Sequence, residues 1–187
     1  MKLGRQKVCT NGRLNASRLR ELPVMIFPCL NPFALVYNQG TDSDNRDLNR
    51  CYHLDELPRI RARKDVIKGH FFRLAVCLHE DCDAQGVYLY EARNGPTGFG
   101  RELLAAAENH ISIDRRRASE ARCWDLIWRI ARRFNFKKFP ALAEAMYLSL
   151  NHTERSITSE TPSEYGLRDR IQANVAMLQR AIELSLL

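Results

Sequence analysis

The apolar residues of this 187-residue chain change their spacing near Pro96, and that change limits the folds open to it. Before Pro96, Phe72, Leu74, Val76 and Leu78 alternate along 69–79, and a second run, GVYLYEAR, fills 86–93 after the turn sequence DCDAQ. Period-two alternation places such side chains on one face of a strand, and two such runs around an Asp-containing turn predict a hairpin. Two shorter strands are expected over 24–27 and 33–38, with Pro28 and Pro32 between them, followed by a polar loop over 39–50. Beyond Pro96 the spacing becomes helical. Helices are expected over 100–110, 118–134 and 140–150. A last one is predicted to start at Thr161-Pro162-Ser163-Glu164, which reads as a capping box with proline at the first helical position. It continues through Leu167, Ile171, Val175, Leu178 and Ile182, a narrow apolar seam. The expectation is an α+β protein: a β-rich half over 1–95 with a hairpin at about 69–93, then a helical half over 96–187 with about four helices. The two halves form one compact unit or two small subdomains.

Composition narrows the class. A hydrophobic content of 45% and a charged content of 27% belong to a globule with a core, not to a disordered chain. No apolar run approaches the roughly 18 residues that span a bilayer, so no membrane partner is expected. The N-terminal residues lack the apolar segment of a secretory signal, which predicts a cytoplasmic protein with reduced thiols at Cys9, Cys29, Cys51, Cys77, Cys82 and Cys123.

Charge is patterned. Residues 114–138 carry nine basic and three acidic groups, a local +6 in a chain whose total is +7. Over the helix expected there, Cys123, Trp124, Ile127, Trp128, Ala131 and Phe134 share one face, which leaves an arginine stripe outward. Clustered arginine suits a phosphate backbone. Arg115, Arg116, Arg117, Arg122, Arg129, Arg132, Arg133, Lys137 and Lys138 are therefore the candidate contacts of a non-enzymatic nucleic-acid-binding protein, of a kind suited to be a subunit of a nucleoprotein assembly, with DNA or RNA as partner and no cofactor. The reading leans away from an enzyme. One alternative is an interaction module, an inhibitor or adaptor whose basic surface docks an acidic partner; the Leu167 to Ile182 seam is also suited to self-association.

A second alternative is a metal-dependent nuclease. Asp81, Asp83 and Glu91-Ala92-Arg93 bear a partial resemblance to the PD-(D/E)xK nucleases, in which two acids hold a divalent cation that activates water. Arg93 stands where those enzymes have lysine, and no proline precedes either aspartate. Cys77, His79 and Cys82, with Cys51 and His53 as a second pair, are candidate zinc ligands, although their spacing is wider than the usual knuckle. The glycines of 94–101 lead into a helix and could cradle a phosphate. A helix-turn-helix over 140–157 would need a left-handed turn at Tyr147, which a tyrosine disfavours.

Overall fold

The structure is a computed structural model that describes residues 20–93, 97–118 and 141–187. Its centre is a three-stranded sheet in the order β1-β3-β2, built from β1 (Ala75–Asp81), β2 (Tyr88–Arg93) and β3 (Arg155–Pro162). β3 pairs parallel with β1, Ala75 opposite Ser156 and Asp81 opposite Pro162. It pairs antiparallel with β2, Tyr88 opposite Glu160 and Arg93 opposite Arg155. The fold is thus α+β, with one correction to the sequence reading. The two alternating runs do form strands, but β3 lies between them, so they are not a paired hairpin. A sheet contributed by both halves of the chain results.

Around the sheet lie six α-helices among the described residues: α1 (Pro32–Tyr37), α2 (Pro58–Ile67), α3 (Gly100–Ala107), the four-residue α4 (Arg115–Ala118), α5 (Glu144–Asn151) and α6 (Leu167–Ser185). One sheet face carries Ile157 and Leu89. It is covered by α3 and α6 through Leu103, Ala107, Ala173, Met177 and Ala181. The small alanines let helix and sheet approach closely, so the buried surface there is dense. The other face carries Cys77 and Ala92. Ile67 and Leu148 pack at Cys77, while Cys51, Tyr52, Ile60, Leu142 and Met146 pack at Ala92.

Three local signals resolve differently from the sequence reading, the first at 24–27, which forms no strand. The stretch expected as a strand over 33–38 is α1, because Asn31 Oδ1 accepts the Ala34 N–H at 3.1 Å and proline occupies the first turn. Asn38 closes it in the left-handed region at φ 49°. Thr161 and Pro162 end β3 instead of opening a helix, and α6 begins at Leu167 after Gly166. As Tyr147 leads one to expect, no helix-turn-helix forms among the described residues 141–157, where Arg155 starts β3. The helix expected over 118–134 lies outside the described residues.

The loop before β2 is anchored to the chain after α3. Val87 donates its N–H to Ser112 and accepts one from Asp114, at 2.8 and 3.0 Å. That approach requires glycine at 86, where a Cβ would sit 2.3 Å from the Ser112 carbonyl oxygen. Asp114, 3% exposed, completes the junction: its carboxylate accepts the Gln85 N–H at 2.9 Å, the Arg116 N–H at 3.0 Å and the Arg116 guanidinium at 2.8 Å. The hydrogen bonds from Arg116 are the main reason that its carboxyl is held well below the usual carboxylate range. A depressed carboxyl stabilises the fold above its unfolded pKa and loses that stabilisation as pH falls through the folded value. Asp114→Asn should therefore cost about 1–3 kcal/mol at neutral pH. It should also flatten the acid limb of thermal stability below about pH 4, measured by calorimetry across pH.

Candidate active site

Sheet register places a polar row across three strands. His79 of β1, Glu160 of β3 and Tyr88 of β2 are direct neighbours, so their side chains share one face. Asp81 lies on the same face, two residues beyond His79, and accepts the Tyr88 hydroxyl at 2.6 Å. The next row back is Cys77, Thr158 and Tyr90. Tyr88 and Tyr90 meet edge to face with ring centroids 5.5 Å apart.

The row sits where the two parallel strands β1 and β3 end. Open sheets commonly bind ligands outside the carboxyl ends of their parallel strands. There the chain turns: Asp81 Oδ1 accepts the Asp83 N–H at 2.8 Å, an Asx turn that holds both carboxylates and Cys82 on one side. One potential ligand atom from each of Asp81, Cys82 and Asp83 lies within 4.8 Å of the other two. Cys82 and Asp83 are exposed and Asp81 is half-buried, so solvent reaches the cluster.

Electrostatics in the row follow burial. Burial pushes the Tyr88 hydroxyl far up, and its hydrogen bond to Asp81 and the nearby Glu160 charge push it further, so Tyr88 stays a neutral donor to Asp81. Burial also lowers the His79 pKa, against the opposing pull of Asp47 and with the help of Arg50 and Arg63. His79 is thus neutral at physiological pH. Behind it, Arg63 is bonded to Glu144 and to the Tyr52 hydroxyl, with the rings of Phe27 and Tyr52 about its guanidinium at 5.2 and 5.3 Å.

The other constellations come apart. Cys77 is buried against Ile67 and Leu148, and burial pushes its thiol up to about 11, which makes it an inert core residue and not a partner for exposed Cys82. Cys51 donates its thiol to the Asp47 carbonyl at 3.2 Å and packs with Tyr52 and Leu142. Among the described residues, Asp81, Cys82 and Asp83 are the one group of three converging ligands, and no histidine joins it. The nuclease constellation fails on register. Asp81 lies opposite Pro162 and Glu91 opposite Ile157, five residues along β3 and about 17 Å apart on opposite faces.

Glu91 has a structural task instead. It accepts the Phe99 and Gly100 N–H groups at 3.0 and 3.1 Å and pairs with Arg155, whose guanidinium lies over the Phe99 ring at 3.7 Å. The strand-to-helix connection that could have cradled a phosphate is thereby occupied by the chain's own carboxylate. Of the arginine cluster, Arg115 and Arg116 are exposed, and Arg116 is bonded to Asp114. Arg117 lies within α4. Arg122, Arg129, Arg132, Arg133, Lys137 and Lys138 lie outside the described residues.

No protein-family model matches the chain, and no curated protein does. Solved structures do. Three, from Shewanella denitrificans OS217, Shewanella amazonensis SB2B and Shewanella baltica OS155, are each described as a "putative metallopeptidase". They share 16%, 15% and 14% sequence identity with the chain at TM-scores of 0.62, 0.58 and 0.62. Each match covers 84% of this chain but only 59%, 62% and 62% of the other, so the chain spans about three fifths of their length. The likeness is one of fold. It overturns the expectation of a non-enzymatic nucleic-acid-binding protein, for DNA or RNA alike. That expectation rested on charge alone, and a basic patch reports an electrostatic surface without reporting the fold beneath it.

Glu91→Ala should destabilise the protein by about 3–5 kcal/mol, because it strands Arg155 at a half-buried position and uncaps α3. Denaturant titration of this variant measures that loss. An unchanged midpoint would contradict the structural task assigned to Glu91.

Proposed function

We propose that the chain is a metal-dependent hydrolase whose centre lies at the carboxyl ends of β1 and β3. The observation that carries the reading is the likeness, over 84% of the chain, to structures described as metallopeptidases. Peptide bonds are accordingly the first substrates to try.

The donor set supports a cation of this use, though not one held by a histidine pair. All five histidines of the chain are described, and His152 has both ring nitrogens engaged, with the His70 carbonyl at 3.0 Å and the Tyr147 hydroxyl at 3.3 Å. Asp81, Cys82 and Asp83 offer two carboxylates and a thiol instead. Three protein ligands with a position left for water is the pattern of a catalytic zinc site, and Cys and Asp are both zinc ligands. The Tyr88 hydroxyl fixes one Asp81 oxygen, as outer-sphere donors do for ligating carboxylates.

A divalent cation supplies Lewis acidity for hydrolysis when it is bound. The remaining work falls to the chain's own residues. Asp81, Cys82 and Asp83 would hold the ion, with Asp81 oriented by Tyr88. Glu160, beside Tyr88 and His79 on the same face, is the carboxylate placed to take and return a proton.

Calorimetric titration with Zn²⁺ and Mn²⁺ should give one site per chain, weakened at least about tenfold in Asp81→Asn and in Cys82→Ser. Cleavage of an unstructured peptide should be stopped by a chelator, restored by the ion and lost in Glu160→Gln. A protein that binds neither ion overturns the proposal, as does one whose cleavage ignores the chelator.

A further inference from the structure

On the opposite side of the sheet, α6 presents an apolar seam to solvent. Leu167, Ile171, Val175 and Leu178 are 62%, 49%, 43% and 36% exposed, while Ala173, Met177 and Ala181 of the same helix are buried. Leu78 of β1, 56% exposed, lies beside the seam and lines a shallow groove with Leu178 and Met177. The helix therefore has two apolar faces, and among the described residues the fold uses one. Contiguous exposed apolar surface of this kind marks an interaction site.

The spacing and the flanking charges say what fits. Ile171, Val175, Leu178 and Ile182 alternate by four, three and four residues, with branched residues and leucine in the arrangement that lets two helices interlock along a seam. At 100° per residue, Arg168 and Glu183 fall on the same open flank, about 60° and 120° from the seam's centre. The residues between them on that flank are the uncharged Gln172 and Gln179. A two-fold axis perpendicular to the helix, passing near Val175, pairs Ile171 with the partner's Leu178. It also brings Arg168 at one end towards the partner's Glu183 at the other. The same contact occurs twice, as an isologous interface requires, and Glu183, paired with Arg180 of its own helix at 3.2 Å, gains a second cation there. Antiparallel packing further aligns the helix dipoles favourably.

We propose that this seam is the interface of a homodimer in which two copies of α6 pack antiparallel about a two-fold axis. It lies across the sheet from the proposed hydrolase centre and does not depend on that reading.

Sedimentation equilibrium of the full chain, from low to several hundred micromolar, tests it. A mass rising from 21.6 kDa towards twice that value is expected, with the association weakened at least tenfold by Val175→Glu. Leu167→Glu serves as a second variant if the first does not give the wild-type circular dichroism spectrum. Arg168→Glu should weaken the dimer and Arg168→Glu with Glu183→Arg should restore it. A wild-type chain that is monomeric throughout overturns the proposal, and so does a dimer indifferent to the seam variants. Failure of the double charge exchange to restore association overturns the antiparallel arrangement.

Discussion

Pairing of β3 on both of its edges is the constraint on which the rest of the structure depends. Every residue of β3 from Ser156 to Pro162 has a partner in β1, and Arg155 to Glu160 have partners in β2. Without β3, two strands that are distant from one another would present unpaired edges, which a small protein tolerates poorly. Its central position dictates its composition. Ser156, Ser159 and Thr161 are buried, and small hydroxyl-bearing residues fit between helices packed on both faces of a sheet. Ser159 donates to Asn174 of α6 at 2.7 Å, so the strand is tied to the helix that covers it.

From that strand the geometry of the proposed centre follows. Because β3 runs parallel to β1, both carboxyl ends reach the same edge of the sheet, and Glu160 arrives beside His79. Because β3 runs antiparallel to β2, the start of β2 returns to the same place and delivers Tyr88 to Asp81. The Asx turn at Asp81 then holds the aspartates and Cys82 together. The opposite face is free to serve packing, with Glu91 and Arg155 joining β2, β3 and the start of α3. The sheet thus separates the face that carries the proposed centre from the one covered by α3 and α6, beyond which lies the exposed seam of α6.

Part of this was legible in the chain. The alternation through Val76 and Leu78 and through GVYLYEAR locates β1 and β2, and helical spacing locates α3, α5 and α6. β3 escaped because Ile157 is its only large apolar residue, and a strand buried by small polar side chains carries no apolar period. The proline of Thr161-Pro162 imitates a helix start, yet the same residue type at Pro32 does begin a helix, since Asn31 caps it. Asp81 and Asp83 were visible as a pair of acids and Cys82 as a thiol among them. The contribution of Tyr88 and Glu160 was not, because strand register brings them to Asp81 from distant parts of the chain. Charge misled in the other direction: the arginine cluster is the loudest local signal, and it carries no information about the sheet.

The proposed function depends on a cation in the turn after β1. Anomalous diffraction at the zinc and manganese edges, from crystals grown with either ion, tests it most directly. One peak per chain is expected, within bonding distance of Asp81, Cys82 and Asp83 and on the same sheet face as Glu160. A peak held elsewhere, or no peak from a protein saturated with the ion, would contradict it.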